Sequence, residues 1–198
     1  MNRTDISDRL IHFTKGKTLE AAYLTLREII ATRALRGGTG KIRGRYECVC
    51  FTEAPRECLD KGLVNKSLYS KYSPFGVMFK KSEIFSWGGR PVIYQSNDEY
   101  DQLGESHKWR HVTMDLTAGV DSVDFSWERE WRIRTGTLSF DESNAEIIVK
   151  DRTWAARLMS DLKDDVFRTV MEYSTTLGFC YASQAYGNDP KWQIITLR

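Results

Sequence analysis

Large apolar and charged side chains alternate along one short segment of the chain, Trp127-Glu128-Arg129-Glu130-Trp131-Arg132-Ile133. Successive side chains of a β-strand point to opposite faces, so this alternation predicts a strand. One face would be apolar. The other would carry two carboxylates and two guanidinium groups, those of Glu128, Glu130, Arg132 and Arg134. Such a charged face is typical either of a salt-bridge ladder on an edge strand or of a catalytic strand.

The rest of the chain predicts strands and helices that do not strictly alternate. Predicted strands cover residues 9–13, 46–52, 74–79, 92–94, 145–149, 181–182 and 192–196. Predicted helices cover residues 19–35, 55–63, 98–112 and 154–176, and Thr18 is the expected N-cap of the first. The sequence contains no internal repeat, linker or low-complexity tract. It therefore predicts a single α+β domain over residues 1–198.

The composition is typical of a globular protein with little net charge. Of the 198 residues, 41% are hydrophobic and 28% are charged, and the net charge is +2. No apolar run approaches the roughly 20 residues that span a bilayer, and no signal-peptide core follows Met1, so we expect a cytoplasmic protein with reduced cysteines. Cys48 and Cys50 share one face of a predicted strand. The remaining cysteines and the three histidines do not complete a ligand set, so we expect no metal site.

Three short motifs follow one another in an order that suggests a shared site. His12 lies in the first predicted strand, Phe51-Thr52-Glu53 ends the second, and the Glu128-x-Glu130 pair opens a later one. With the segment Tyr72-Ser73-Pro74-Phe75-Gly76-Val77-Met78-Phe79, they resemble the ADP-ribosyltransferase-fold proteins of the bacterial DarT-like and abortive-infection AbiGi-like type. The resemblance covers residues 9–150. It implies a split, twisted β-sheet core with flanking helices, and NAD as the substrate.

The resemblance also implies roles for individual residues. Glu130 would be the catalytic carboxylate that stabilises positive charge on the nicotinamide ribose, and Glu128 would orient or deprotonate the acceptor. The NAD-binding candidates are Arg9, His12, Phe51, Thr52 and Tyr72. The chain departs from the family in two ways: the central motif is Phe-Thr-Glu rather than Ser-Thr-Ser, and no tyrosine is assigned to the nicotinamide. Tyr72 is the proposed substitute for that tyrosine, with ordinary partial burial as the alternative.

A second carboxylate is an alternative candidate for the catalytic role. The run Ala145-Glu146-Ile147-Ile148-Val149 resembles the segment around the catalytic glutamate of DarT-like enzymes. We prefer Glu130 to Glu146, because Glu128 and Arg132 share its predicted face whereas Glu146 stands alone in an apolar strand.

A loop rich in glycine and arginine occupies residues 36–45. It is not a P-loop, because Ile42 replaces the required Ser or Thr and Leu35 takes the place of the first Gly. Its basic residues are expected to contact the NAD pyrophosphate or a nucleic-acid backbone, or else to form a solvated turn. They are Arg36, Lys41, Arg43 and Arg45.

The sequence thus predicts an NAD-dependent ADP-ribosyltransferase, a toxin or phage-defence effector that modifies nucleic acid, either DNA or RNA. A protein acceptor remains open, as does a cognate antitoxin or toxin as a partner. Two alternatives share the fold. One is a catalytically degenerate binding or antitoxin-like module, and the other is an NAD glycohydrolase with water as acceptor.

Overall fold

The computed structural model describes residues 6–40, 42–54, 72–117, 122–188 and 191–197. Its strands are β1 (Arg9–Phe13), β2 (Ala34–Arg36), β3 (Cys48–Thr52), β4 (Gly76–Lys80), β5 (Arg90–Pro91), β6 (Ile93–Gln95), β7 (His111–Thr113), β8 (Glu130–Arg134), β9 (Thr137–Ser139), β10 (Ala145–Val149) and β11 (Gln193–Thr196). Its α-helices are α1 (Leu19–Thr32), α2 (Lys81–Ser86), α3 (Arg152–Leu177) and α4 (Phe179–Tyr186). Short 3-10 turns occupy Asp98–Gln102, Lys108–Arg110 and Ser126–Glu128.

A mostly antiparallel sheet forms the centre of this mixed α+β structure. Within the described residues its strand order is β11-β10-β4-β1-β3-β8-β5. Every neighbouring pair is antiparallel except β10 and β11, which run parallel. Two smaller pairs lie outside it, β2 with β9 and β6 with β7. The α+β class predicted from the sequence is therefore confirmed.

The central sheet is poorly closed between β1 and β3. Strand β1 pairs with β4 along its whole length, from Arg9↔Lys80 to Phe13↔Gly76. With β3 it shares the single register pair Ile11↔Thr52. Strand β3, in turn, pairs fully with β8 on its other side. The two central strands therefore diverge on one side of Thr52, and this divergence makes room for a cleft.

Helix α1 covers one face of the sheet and ends earlier than predicted. Thr18 caps it as expected, because its hydroxyl accepts a hydrogen bond from the Ala21 amide. The helix stops at Thr32, since Arg33 adopts a left-handed conformation with φ of 49°. The following residues pair with β9 instead of continuing the helix. That pairing supplies partners for backbone groups that a longer helix would have satisfied internally.

The core joins α1 and α3 to the sheet. Tyr23 of α1, Phe75 and Trp154 of α3 form a cluster of aromatic rings with centroids 4.9–5.8 Å apart. The Tyr23 hydroxyl donates to Asp161 of α3. Burial, together with this contact, raises the pKa of Tyr23 above its ordinary range. The two long helices are thus fixed to each other and to the sheet.

Gly76 allows β1 and β4 to approach closely. A Cβ atom at this position would lie 2.5 Å from the main-chain oxygen of His12 and 3.2 Å from the Cα atom of Phe13. No side chain can be accommodated there without displacing β1. The position of His12 therefore depends on a glycine in the neighbouring strand.

Two further predictions about secondary structure are wrong. The predicted helix over 98–112 is replaced by two 3-10 turns and by β7, which pairs in parallel with β6. The predicted strand at 181–182 lies inside α4, where Ala182 is buried. Gly178, with φ of 77°, separates α3 from α4 without returning the chain to the sheet. The predicted helix over 55–63 lies outside the described residues.

Among the described helices, none combines the length and the apolar character needed to cross a membrane.

Candidate active site

A cleft of about 460 Å³ lies where β1 and β3 part. Its walls come from β1 and the turn after it, from β3, α1 and the loop after β2, and from the corner that leads into β8. Its volume falls within the roughly 300–1,000 Å³ of small-molecule sites. Several residues singled out from the sequence line it together: His12, Phe51, Thr52, Tyr72, Glu128, Glu130 and Arg36.

The two carboxylates reach the cleft by a route that the alternation did not predict. The strand predicted over 127–133 begins only at Glu130, because Glu128 ends a 3-10 turn and Arg129 has a left-handed φ of 45°. Trp127 is consequently 42% exposed instead of packing beside Trp131. The prediction that Glu128 lies on the strand is therefore wrong. The corner at Arg129 nevertheless directs both carboxylates into the cleft.

The Glu130 carboxylate is held by a buried guanidinium. Arg132 Nε donates to Glu130 Oε1 over 2.9 Å, and Nη2 donates to Oε2 over 3.1 Å. Arg132 is 4% exposed, and its Nη1 donates to the main-chain oxygens of Trp109 and His111. Such a two-pronged pair fixes the plane of the carboxylate as well as its charge.

The thiol of Cys50 lies beside Glu130 in the same cleft. Burial, followed by the negative charge of Glu130, raises the pKa of Cys50 to about 12. The thiol is therefore protonated at neutral pH, and it is a weak donor rather than a nucleophile. Its neighbour Cys48 also lines the cleft, and burial raises the pKa of that thiol to about 11.

Glu128 is 3% exposed and is held by neighbours on two other segments of the chain. The Tyr72 hydroxyl donates to Glu128 Oε2 over 2.7 Å. Burial, together with this bond to a carboxylate, raises the pKa of Tyr72 above its ordinary range, so the phenol keeps its proton. Thr52 donates its hydroxyl to the main-chain oxygen of Glu128 and accepts from the Ala54 amide. The carboxylate therefore has a fixed position inside the cleft rather than on its rim.

His12 bridges the gap between the separated strands. Its Nδ1 lies 2.8 Å from the main-chain oxygen of Cys50, which can only accept, so Nδ1 carries the proton. Burial of the ring lowers the pKa of His12, and the positive charge of Lys15 adds to this effect. The imidazole is therefore neutral at pH 7, with Nε2 left as an acceptor.

Two candidates from the sequence do not line the cleft. Arg9 and Glu146 lie on β1 and β10, and Arg9 Nη2 is 3.5 Å from Glu146 Oε1. Strand β4 separates β10 from β1. The pair therefore belongs to a different part of the sheet from Glu128 and Glu130, which favours Glu130 over Glu146 as the carboxylate of the cleft.

The basic loop is divided between the cleft and the fold. Arg36 lines the cleft with a side chain that is 78% exposed. Arg43 instead lies 4.1 Å from the centre of the Tyr100 ring and donates to the Asn97 main-chain oxygen, and it is not among the residues that line the cleft. Arg45 is exposed, with a left-handed φ of 56°. Lys41 lies outside the described residues.

Lys15 is a residue of the cleft that sequence reasoning missed. It directly follows the His12-Phe13-Thr14 motif, and its place in the turn after β1 was the available signal. The positively charged residues of the lining are Lys15, Arg36 and Arg132, and the negatively charged ones are Glu128 and Glu130. Arg132 is paired with Glu130. The lining of the cleft therefore carries charged groups of both signs.

Within the described residues, no three His, Cys, Asp or Glu side chains are grouped in a way that could hold a metal ion.

Comparison of the chain with protein-family models, with curated proteins and with solved structures found no match.

Proposed function

We propose that the protein is an NAD-dependent ADP-ribosyltransferase, which cleaves the bond between nicotinamide and ribose and transfers ADP-ribose to an acceptor. One observation carries the proposal: two oriented carboxylates, Glu128 and Glu130, share a cleft with His12, Thr52 and Tyr72. The divergence of β1 and β3 beside that cleft supports the split-sheet fold that the proposal implies.

The charges of the cleft suit this reaction. When the glycosidic bond breaks, its electron pair leaves with neutral nicotinamide, and positive charge develops on the ribose. Glu128 and Glu130 carry two negative charges, and Arg132 offsets one of them. One net negative charge is thus left beside the sugar. A fixed charge of this kind stabilises the transition state without any reorganisation during the reaction.

The cleft also has the extent and polarity that a dinucleotide requires. The strand rise of about 3.3 Å per residue separates the level of Cys48 from that of Thr52 by roughly 13 Å. Glu130 pairs with β3 at Thr52. Register carried on from the Ile11↔Thr52 pair would bring Lys15 towards the level of Cys48. We therefore orient NAD with its nicotinamide ribose at Glu130 and its pyrophosphate towards Lys15 and Arg36.

The remaining polar groups have roles consistent with that orientation. The free acceptor Nε2 of His12 suits a ribose hydroxyl or an amide N–H of the ligand. Glu128 would accept the proton that the acceptor loses as its new bond to the ribose forms. Tyr72 and Thr52 hold Glu128 in place for this step.

The acceptor we propose is nucleic acid, DNA or RNA, as expected for a toxin or phage-defence effector. The support is the exposed positive charge of Arg36 beside the cleft and of Arg45 in the same loop. A second candidate is NAD hydrolysis. It is favoured by the 3% exposure of Glu128, because so buried a carboxylate is reached more readily by a molecule as small as water than by a nucleic-acid chain.

The test uses NAD labelled with ³²P at the adenylate phosphate. The protein is incubated with it alone, or with single-stranded DNA, with RNA or with a protein extract, and released nicotinamide and transferred label are both measured. Transfer to one pool supports the proposal and identifies the acceptor. Nicotinamide release without transfer favours hydrolysis. No release under any condition would contradict both.

A further inference from the structure

The geometry points to Arg132 as the positioning residue of the proposed reaction, the group that holds the Glu130 carboxylate in one orientation. This inference rests on the proposed function, because it assigns a role within that chemistry. Arg132 acts through Glu130 and not on the substrate.

The guanidinium of Arg132 makes four hydrogen bonds to fixed acceptors. Two of its N–H groups hold the two oxygens of Glu130, over 2.9 and 3.1 Å. Two more, on Nη1, donate to the main-chain oxygens of Trp109 and His111, over 2.9 and 3.0 Å. Main-chain acceptors do not change rotamer, so the plane of the guanidinium is set by the backbone of another segment.

The Arg132–Glu130 pair is also shielded from water. The Arg132 side chain is 5% exposed and that of Glu130 is 14% exposed. A charge so far from water must be paired, and removing one partner would leave the other uncompensated. Without Arg132, the carboxylate would lose the donors that hold both of its oxygens and would turn towards solvent. That change would move the negative charge away from the ribose.

The Arg132–Glu130 pair is also linked to other residues that line the cleft. Trp109, whose main-chain oxygen holds Arg132, packs with Ile42 and Cys48, and both of these line the cleft. Its indole N–H also donates to the Ser106 main-chain oxygen. The carbonyl that orients Arg132 is therefore fixed by the same residues that shape the ligand site.

Lysine cannot replace this arrangement. An ammonium group keeps the positive charge but cannot form two parallel bonds to a carboxylate while donating to two carbonyl oxygens in one plane. Arg132→Lys should therefore separate charge from orientation. We expect kcat for nicotinamide release to fall about 100-fold, the scale on which a misplacement of about 1 Å affects a catalytic group. We expect KM for NAD to change little, because the loss is confined to the transition state.

The experiment measures kcat and KM for nicotinamide release in the wild type, in Arg132→Lys and in Arg132→Ala. The matched control is Arg134→Lys. Arg134 lies two residues further along the same strand but is exposed, packing against the Tyr46 ring. Added guanidinium ion at millimolar concentration should restore part of the rate of Arg132→Ala and leave the control unaffected. If Arg132→Ala does not fold, as judged by circular dichroism, Arg132→Lys carries the test.

Each outcome decides the inference. A low kcat with unchanged KM in Arg132→Lys, and normal kinetics in Arg134→Lys, support it. If an active wild type is matched within about twofold by Arg132→Lys, or if only KM rises, Arg132 does not position Glu130 and the proposed function is unaffected. If the wild type releases no nicotinamide, the proposed function itself fails and this inference falls with it.

Discussion

His12 donates a 2.8 Å hydrogen bond from Nδ1 to the main-chain oxygen of Cys50, across the point at which β1 and β3 diverge. A side chain thus takes the place of the strand pairing that is lost there. The same bond fixes the tautomer, so the neutral ring presents an acceptor at Nε2. Structural closure of the sheet and the chemistry proposed for the cleft therefore depend on the same imidazole.

Acidification should weaken the fold through His12. Burial lowers the pKa of His12 below its ordinary value of 6.5, so below that pH the unfolded chain binds a proton more readily than the folded one. The stabilisation from the neutral ring is present above pH 6.5 and is lost as the pH falls towards the lowered pKa. Urea unfolding at pH 7.5 and pH 5.5 should show a smaller loss of stability in His12→Gln than in the wild type.

The control for this measurement is His107→Gln, since the exposed His107 has Ser106 as its hydrogen-bond neighbour. It should keep the pH dependence of the wild type. An unchanged pH dependence in His12→Gln would mean that folding does not lower the pKa of the ring.

Glu130 and Glu146 are distinguished by paired substitutions. Glu130→Gln should reduce NAD cleavage at least about 100-fold, because it keeps the shape of the side chain and removes the charge that faces the ribose. Glu146→Gln should leave the rate near that of the wild type, since Glu146 contacts Arg9 and does not line the cleft. Nicotinamide release under single-turnover conditions is the measurement. The reverse pattern would show that Glu146, and not Glu130, is the catalytic carboxylate, and it would move the site to β10.

Tyr72→Phe tests the support of Glu128. The substitution removes the 2.7 Å hydrogen bond to a buried carboxylate, and bonds to charged groups contribute about 1.5–3 kcal/mol. We expect the free energy of unfolding to decrease by an amount within that range. We also expect the transfer of ADP-ribose to become slower. Tyr173→Phe is the control, because Tyr173 is exposed on α3 and stacks against Tyr186. Equal effects of the two substitutions would show that the Tyr72 hydroxyl contributes nothing to Glu128.

Periodicity was sufficient to locate the elements whose buried face is regular. The strands at Arg9–Phe13 and Ala145–Val149 match their predicted bounds, and α3 extends only a few residues beyond its predicted range. Alternation failed around Arg129 because a left-handed residue other than glycine leaves no mark in the hydrophobic pattern. It failed again at 98–112, where pairing with β6 determines the local structure instead of helix propensity.

The site was only partly predictable for a related reason. The order of His12, Thr52 and Glu130 along the chain indicated one site, and the structure places all three on one cleft. Lys15 and Cys50 were missed, since their place in the cleft follows from the divergence of β1 and β3 rather than from any local motif. Nothing in the sequence separates Arg36 from Arg43, because the ring that engages Arg43 belongs to Tyr100, more than fifty residues away.

Arg36 and Arg43 should therefore respond differently to substitution. Arg36→Ala removes an exposed charge at the cleft, so affinity for NAD or for nucleic acid should fall. If Arg36 contacts a nucleic-acid phosphate, the slope of log affinity against log salt should flatten by about 0.7–0.9, because the variant makes one phosphate contact fewer and so releases fewer counterions on binding. Arg43→Ala loses its contact with the Tyr100 ring, worth about 0.5–1 kcal/mol at an exposed site, and should leave both affinities unchanged.

Calorimetry with NAD and fluorescence anisotropy with single-stranded DNA and RNA, each at several salt concentrations, separate these outcomes. A loss of NAD affinity alone in Arg36→Ala would assign the residue to the NAD pyrophosphate, because nucleic-acid binding would then not depend on it. A loss of nucleic-acid affinity alone would assign it to the acceptor. If neither affinity changes, Arg36 is a solvated side chain, and hydrolysis of NAD becomes the better account of a cleft in which Glu128 lies so far from the surface.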